Sequence, residues 1–167
     1  MLRAAVYGDL QILYPMITSV REVEWIGQIM EEACKELAAA GMAYRIPAQG
    51  IMIETPAAVM ISDDLADMVD FFSIGTNDLS QYSLAIDRQN ERLEDFYHPC
   101  HKAVIKMIGM TVENAHKCGI PVAICGELAA DTALTETFID MGVDELSVVP
   151  SMVLKVRKAV RELNKRS

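Results

Sequence analysis

Asp70–Arg88 reads DFFSIGTNDLSQYSLAIDR. Asp70–Ile74 is a short apolar run of the kind that forms a strand buried on both faces. Gly75 ends it, a residue that lets the backbone approach a neighbour or a ligand closely. Thr76, Asn77 and Asp78 then open a short helical stretch. A strand that gives way to a helix within one residue, with polar groups gathered at the junction, is the building unit of an α/β protein.

The same unit recurs on both sides. Upstream, Gln11–Met16 reads as a strand, and Ser19 with Glu22 three residues later forms a capping box. Val23, Ile26, Met30, Ala33 and Leu37 follow at helical spacing, with Gly41 as a stop. Gly50–Ile53 is a strand, and Pro56 suits the first turn of the next helix. Downstream, Tyr97-His98-Pro99 is loop, and His101–Lys117 is a helix closed by Gly119. Pro121–Ile124 is a strand, Asp131 caps a helix that stops at Gly142, and Glu145–Val149 is a strand. Pro150 and a basic helix over Ser151–Leu163 complete the pattern, and Leu2–Val6 reads as the end of a preceding helix.

About five strand–helix units imply a parallel sheet, since parallel neighbours need crossover connections. Two closures satisfy that pattern, an open doubly wound sheet and a (β/α)8 barrel, and periodicity does not separate them. A complete barrel takes at least about 200 residues, more than the 167 here. The whole chain is expected to form a single, partial domain, with no internal linker.

Composition narrows the function. Half the residues are hydrophobic, and the net charge of −9 disfavours non-specific binding to nucleic acid or to an anionic membrane. No apolar run approaches the roughly 20 residues of a membrane span, and no secretory leader is visible. Cys34, Cys100, Cys118 and Cys125 form no CxxC pair. A reducing cytoplasm suits them better than a disulfide framework.

Polar residues stand at the strand ends. Glu54 follows GIMI, Asn77 and Asp78 follow DFFSI, and Cys125 and Glu127 follow PVAI. In parallel α/β folds the carboxyl ends of the strands converge on the active site. Glu54 and Asp78 could hold one divalent cation, because magnesium favours one or two carboxylates and completes its shell with water and substrate phosphate. Alternatively each could merely cap a helix. Gly75 and the amides after it could cradle a phosphate, or form an ordinary turn. Arg88 could contact phosphate through both arms, or pair with Asp87 at the surface. Cys125 could be a small acid facing a substrate carbon, or a buried structural thiol, the role expected of Cys34 and Cys118. Cys100, His98 and His101 are close in sequence but lack a metal-ligand spacing. His116 reads as a helix-end residue.

Asp70–Arg88 resembles, over all nineteen residues, the signature of the phosphoenolpyruvate-utilising enzymes. Gly50–Ala58, GIMIETPAA, and Ala123–Ala129, AICGELA, agree with it in the expected order. The ETPAA form, QYSLAIDR and the Tyr97-His98-Pro99 segment favour Enzyme I of the bacterial sugar phosphotransferase system over pyruvate phosphate dikinase and phosphoenolpyruvate synthase. The similarity extends from LYPMI near the start to MGVDELSV near the end.

That resemblance implies a (β/α)8 barrel binding Mg2+ and phosphoenolpyruvate, with transfer of the phosphoryl group to a histidine on a separate domain and release of pyruvate. Carried over by motif, Glu54 and Asp78 are the metal ligands. Asn77, Asp78 and Arg88 bind the substrate, and Cys125 is the acid that protonates the enolate carbon. Barrel strands four to eight are expected here, and the family's arginines on earlier strands fall outside the chain. So do the phosphohistidine domain and the domain that docks the carrier HPr. The chain is thus expected to be an excised or truncated piece that turns over poorly alone. The alternatives are a non-catalytic part-barrel that pairs its edges with a second copy, or the matching piece of one of the two related enzymes.

Overall fold

The computed structural model describes residues 1–96 and 98–163. Tyr97, part of the predicted loop, lies outside them. After a 3-10 turn at Ala4–Val6 come strand β1 (Gln11–Tyr14), helix α1 (Val20–Ala39) and strand β2 (Ala48–Ile53). Two short helices, α2 (Pro56–Met60) and α3 (Ser62–Ala66), lead to β3 (Phe71–Gly75) and α4 (Thr76–Leu84). Then follow α5 (Lys102–Lys117), β4 (Val122–Cys125), α6 (Glu127–Ala130), α7 (Thr135–Asp140), β5 (Glu145–Leu146) and α8 (Val153–Leu163).

The local signals act largely as expected. Glu22 Oε2 accepts from the Ser19 amide at 2.9 Å and the Ser19 hydroxyl at 3.1 Å, completing the capping box of α1. Pro56 stands in the first turn of α2. Some expectations fail: β1 ends at Tyr14 rather than Met16, and β5 covers only Glu145–Leu146 of the expected Glu145–Val149. Asp131 does not cap α7: its Oδ1 accepts from Ala133 N at 2.9 Å, making a local turn, and Leu134 is the N-cap. Its own amide instead closes α6, a short helix that the apolar pattern does not announce. Cys118 is not buried; it follows the last turn of α5 with its thiol exposed.

All five strands are parallel and their order is β1-β2-β3-β4-β5. An open doubly wound sheet reverses its strand order at a switch point; among the described residues this one does not. Ile53, Ile74, Ile124 and Leu146 stand level across four strands. Together with Ile51, Phe72 and Val122 they face the helices. There they pack with Val59, Leu65, Leu79, Val104, Ile108 and Val112 into one core. Alternate residues point to the other face, where Met52, Ser73 and Ala123 align. Gly50 is needed there, because a side chain at that position would overlap the Phe71 ring on the next strand. Among the described residues, no helix is long and apolar enough to cross a membrane.

At the amino end of β4, Asp144 Oδ2 accepts from Val122 N at 2.8 Å and meets His116 Nε2 at 3.1 Å. His116 is thus the helix-end residue expected, tying α5 to the turn before β5. Partial burial alone would raise the Asp144 pKa. The Val122 amide and His116 outweigh it and hold the carboxyl below its ordinary 3.8. A depressed carboxyl adds stability above its unfolded value, and that stability disappears as pH falls through the folded value. Asp144→Asn should therefore lose about 1 kcal/mol or less at neutral pH. In urea titrations, the gap between wild type and variant should shrink as pH drops below 3.8.

Candidate active site at the carboxyl ends of the strands

Because Ile53, Ile74 and Ile124 are level, the residues that follow them emerge together: Glu54, Gly75 and Cys125. Glu54 is 3% exposed. Its Oε1 accepts from Met16 N at 2.7 Å, and Met16 itself adopts φ +58°. The chain after β1 thus folds over the end of β2 and spends a left-handed residue to do so. Glu54 does not cap α2. Thr55 does, accepting from Ala58 N at 3.1 Å and donating to Ile17 O at 2.8 Å. The Glu54 carboxylate instead lies across the end of β3, where a Cβ at Gly75 would come within 2.9 Å of its Oε2. Burial raises its pKa above the ordinary 4.5; the nearby Asp78 carboxyl adds to that, against the Met16 amide.

Asp78 lies in the first turn of α4, whose N-cap position is Gly75. Arg88 is not a surface partner of Asp87, whose Oδ1 accepts from Gln89 N at 2.9 Å. It stands between two other carboxylates, 4.0 Å from Asp78 Oδ1 and 4.0 Å from Glu127 Oε1. Both are longer than a hydrogen bond. The device that returns the chain is Ala85, left-handed at φ +54°, which ends α4 by bonding back to Gln81 O. The Gln81 side chain then accepts from Arg88 N at 3.2 Å.

Asn77 and Cys125 belong to the same cluster. Asn77 Oδ1 accepts from Glu127 N at 2.9 Å, so its amide donor is left for other work. Thr76 Oγ1 donates to Cys125 O at 2.8 Å. Gly126 joins β4 to α6 at φ +97°, and any Cβ there would fall 2.5 Å from Thr76 Oγ1 and 2.8 Å from Asn77 Oδ1. Cys125 Sγ lies 3.5 Å from Ser73 Oγ and 3.4 Å from Ile74 O. A cleft of about 450 Å3 opens beside it, lined by Asn77, Cys125, Gly126, Glu127, Ala130 and the Ser147–Val149 segment.

Glu54, Asn77, Asp78, Arg88 and Cys125 are all therefore at one end of the sheet. Among the described residues no three of His, Cys, Asp and Glu cluster as a metal site, which leaves the pair Glu54 and Asp78. None of the three histidines hydrogen-bonds a member of the cluster among the described residues; His101 Nδ1, for instance, caps α5 by accepting from Ala103 N. Pattern reading missed the supporting groups Thr55, Ser73 and Thr76. A serine at the alternate, non-helix face of a strand was the available signal for Ser73.

Residues 1–165 match the family model described as PEP-utilising enzyme, PEP-binding domain. The phosphoenolpyruvate-protein phosphotransferase of Listeria monocytogenes is 41% identical over 165 residues, 98% of this chain and 29% of that protein. Its namesake in Bacillus subtilis is 40% identical over 166 residues, 99% of this chain and 29% of that protein. The chain thus spans less than a third of the length of these curated relatives. Among solved structures, a citrate lyase from Burkholderia xenovorans superposes with a TM-score of 0.66 at 20% identity, covering 89% of this chain and 48% of that one. An HpcH/Hpal aldolase/citrate lyase family protein from Burkholderia cenocepacia gives 0.59 at 16% identity, covering 97% and 68%. These share its α/β fold with a parallel sheet, a TIM-barrel-like architecture. By sequence, the chain belongs to the PEP-binding domain family of the PEP-utilising enzymes.

Proposed function

We propose that this chain carries the phosphoenolpyruvate site of a phosphoenolpyruvate-protein phosphotransferase, as strands four to eight of a barrel. The observation that carries the reading is Glu54. It is a buried carboxylate set beside Asp78, with no ion-pair partner among the described residues. Two adjacent carboxylates in a half-dry strand end favour a divalent cation, and a two-carboxylate site leaves positions for substrate oxygens. Mg2+, held by Glu54 and Asp78, would neutralise charge on the phosphoryl group.

The chain's own residues supply the rest. The loose Arg88 geometry, 4.0 Å from each carboxylate, leaves the guanidinium free to turn onto phosphate. Asn77, its oxygen occupied by Glu127 N, presents its amide to the same group, and the first amides of α4 point there as well. Cys125, on the cleft wall, donates a proton to the methylene carbon once phosphate leaves, giving pyruvate. The receiving histidine belongs to another domain of the parent enzyme, itself charged for delivery to HPr. The setting is the cytoplasm. The relatives' identity as phosphoenolpyruvate-protein phosphotransferases favours this over pyruvate phosphate dikinase or phosphoenolpyruvate synthase. A second reading, a part-barrel that dimerises, draws on the outer edges of β1 and β5, each paired on one side only among the described residues; a monomer in solution would count against it.

Calorimetry of this chain with phosphoenolpyruvate and Mg2+ tests the site. Glu54→Gln should weaken metal-dependent binding by about tenfold or more, and chelation should abolish it; unchanged binding would remove Glu54 from the site. In a full-length relative, replacing the residue that aligns with Cys125 by Ala should lower pyruvate formation by about 100-fold or more with binding kept. The isolated chain should release little pyruvate, and robust turnover would overturn the assignment of the acceptor to another domain.

A further inference from the structure

Ser73 sits in the middle of β3 on the face away from the helices, level with Met52 and Ala123, and is 6% exposed. A hydroxyl buried among such neighbours is costly unless it is hydrogen-bonded. Among the described residues its partner is the Cys125 sulfur, 3.5 Å away. Gly75, level with Cys125, offers no side chain, so Ser73 is the nearest polar side chain of β3 on that face. The thiol has its own acceptor in Ile74 O at 3.4 Å, which leaves the serine hydroxyl free to act as donor to sulfur.

We propose that Ser73 is a positioning residue for Cys125, orienting the thiol and stabilising the thiolate left behind when Cys125 gives up its proton. This rests on the proposed role of Cys125 as proton donor. In that step the S–H bond breaks and its electron pair stays on sulfur. The proton forms the new C–H bond at the methylene carbon, and the thiolate later regains a proton from water. A hydrogen bond to a charged acceptor is stronger than one to a neutral acceptor, so the serine contributes most as charge appears on sulfur. The setting makes a donor necessary. Glu54 from the end of β2, Asp78 on α4 and Glu127 on α6 place carboxylates at this end of the sheet, with Arg88 between the latter two. None of these groups hydrogen-bonds the sulfur.

Alkylation by iodoacetamide, followed peptide by peptide in this chain at one mildly alkaline pH, tests the proposal. Cys34, Cys100 and Cys118 serve as references within each sample. Ser73→Ala should slow alkylation of Cys125 by about fivefold while the other three keep their rates. Ser73→Thr should restore it to within about twofold of wild type. An equal or faster Cys125 rate in Ser73→Ala overturns the proposal. If that variant loosens the fold, seen as a rise in Cys34 reactivity, the isosteric pair Ser73→Thr and Ser73→Val carries the same comparison. The Thr variant should then react about fivefold faster at Cys125, and equal rates overturn the proposal. Titrating the wild-type chain with phosphoenolpyruvate and Mg2+ keeps the two readings apart. Absent binding there sinks the substrate assignment, whereas only the alkylation series bears on the serine–sulfur bond.

Discussion

Everything at the functional end of this molecule depends on one row of side chains. Ile53, Ile74, Ile124 and Leu146 lie level across four parallel strands and press into the helices. Burying each of the three isoleucines contributes on the order of 1.5–3 kcal/mol, and the partly buried Leu146 less. The alternation of a strand makes this row intolerant of slippage, since a shift by one residue would turn every apolar side chain to the wrong face. With the row held, the next residue of each strand emerges at the same height. Glu54, Gly75, Cys125 and Ser147 are those residues, and they form the floor on which the proposed chemistry rests.

On that floor, small backbone devices bring polar groups closer than side-chain volume would ordinarily allow. Gly75 and Gly126 omit a Cβ where one would strike Glu54 or Thr76 and Asn77. Met16 and Ala85 adopt left-handed conformations without being glycine. Each is held by a specific bond: the Met16 amide on Glu54, and the Ala85 amide on Gln81 O. Such conformations cost of order 1–3 kcal/mol and persist where the surroundings over-determine them. Here they return the chain over β2, and they return Arg88 to Asp78 and Glu127. The result is a buried carboxylate at the end of β2: burial first, and the neighbouring Asp78 carboxyl second, hold the pKa of Glu54 above its ordinary value.

The order of strands and of the long helices was legible, though not every boundary, because the apolar runs are short, the glycine stops are sharp and the capping box is complete. What failed was local competition. Asp131 and Glu54 both have the chemistry of a cap, yet Asp131 closes its own turn and Thr55, the better-placed hydroxyl, takes the cap beside Glu54. Arg88 was equally ambiguous: its neighbour Asp87 invited a surface pair, and only the turn after α4 decided otherwise. Cys118 was misjudged because a helical residue near the last turn carries no sign of which face it presents.

The sequence by itself determined the parallel α/β class, the placement of polar residues at strand ends and the family, since these follow from periodicity and from contiguous motifs. Periodicity alone could not choose between a reversing and a non-reversing strand order, because helical crossovers of similar length serve both; only the family resemblance pointed to the barrel. Tertiary structure decided that order. It also set the meeting of Glu54 with Asp78, the position of Arg88 between two carboxylates, and the bond between Ser73 and Cys125. Those pairs are separated by many residues along the chain. They come together through sheet register and left-handed turns, which short-range patterns do not encode.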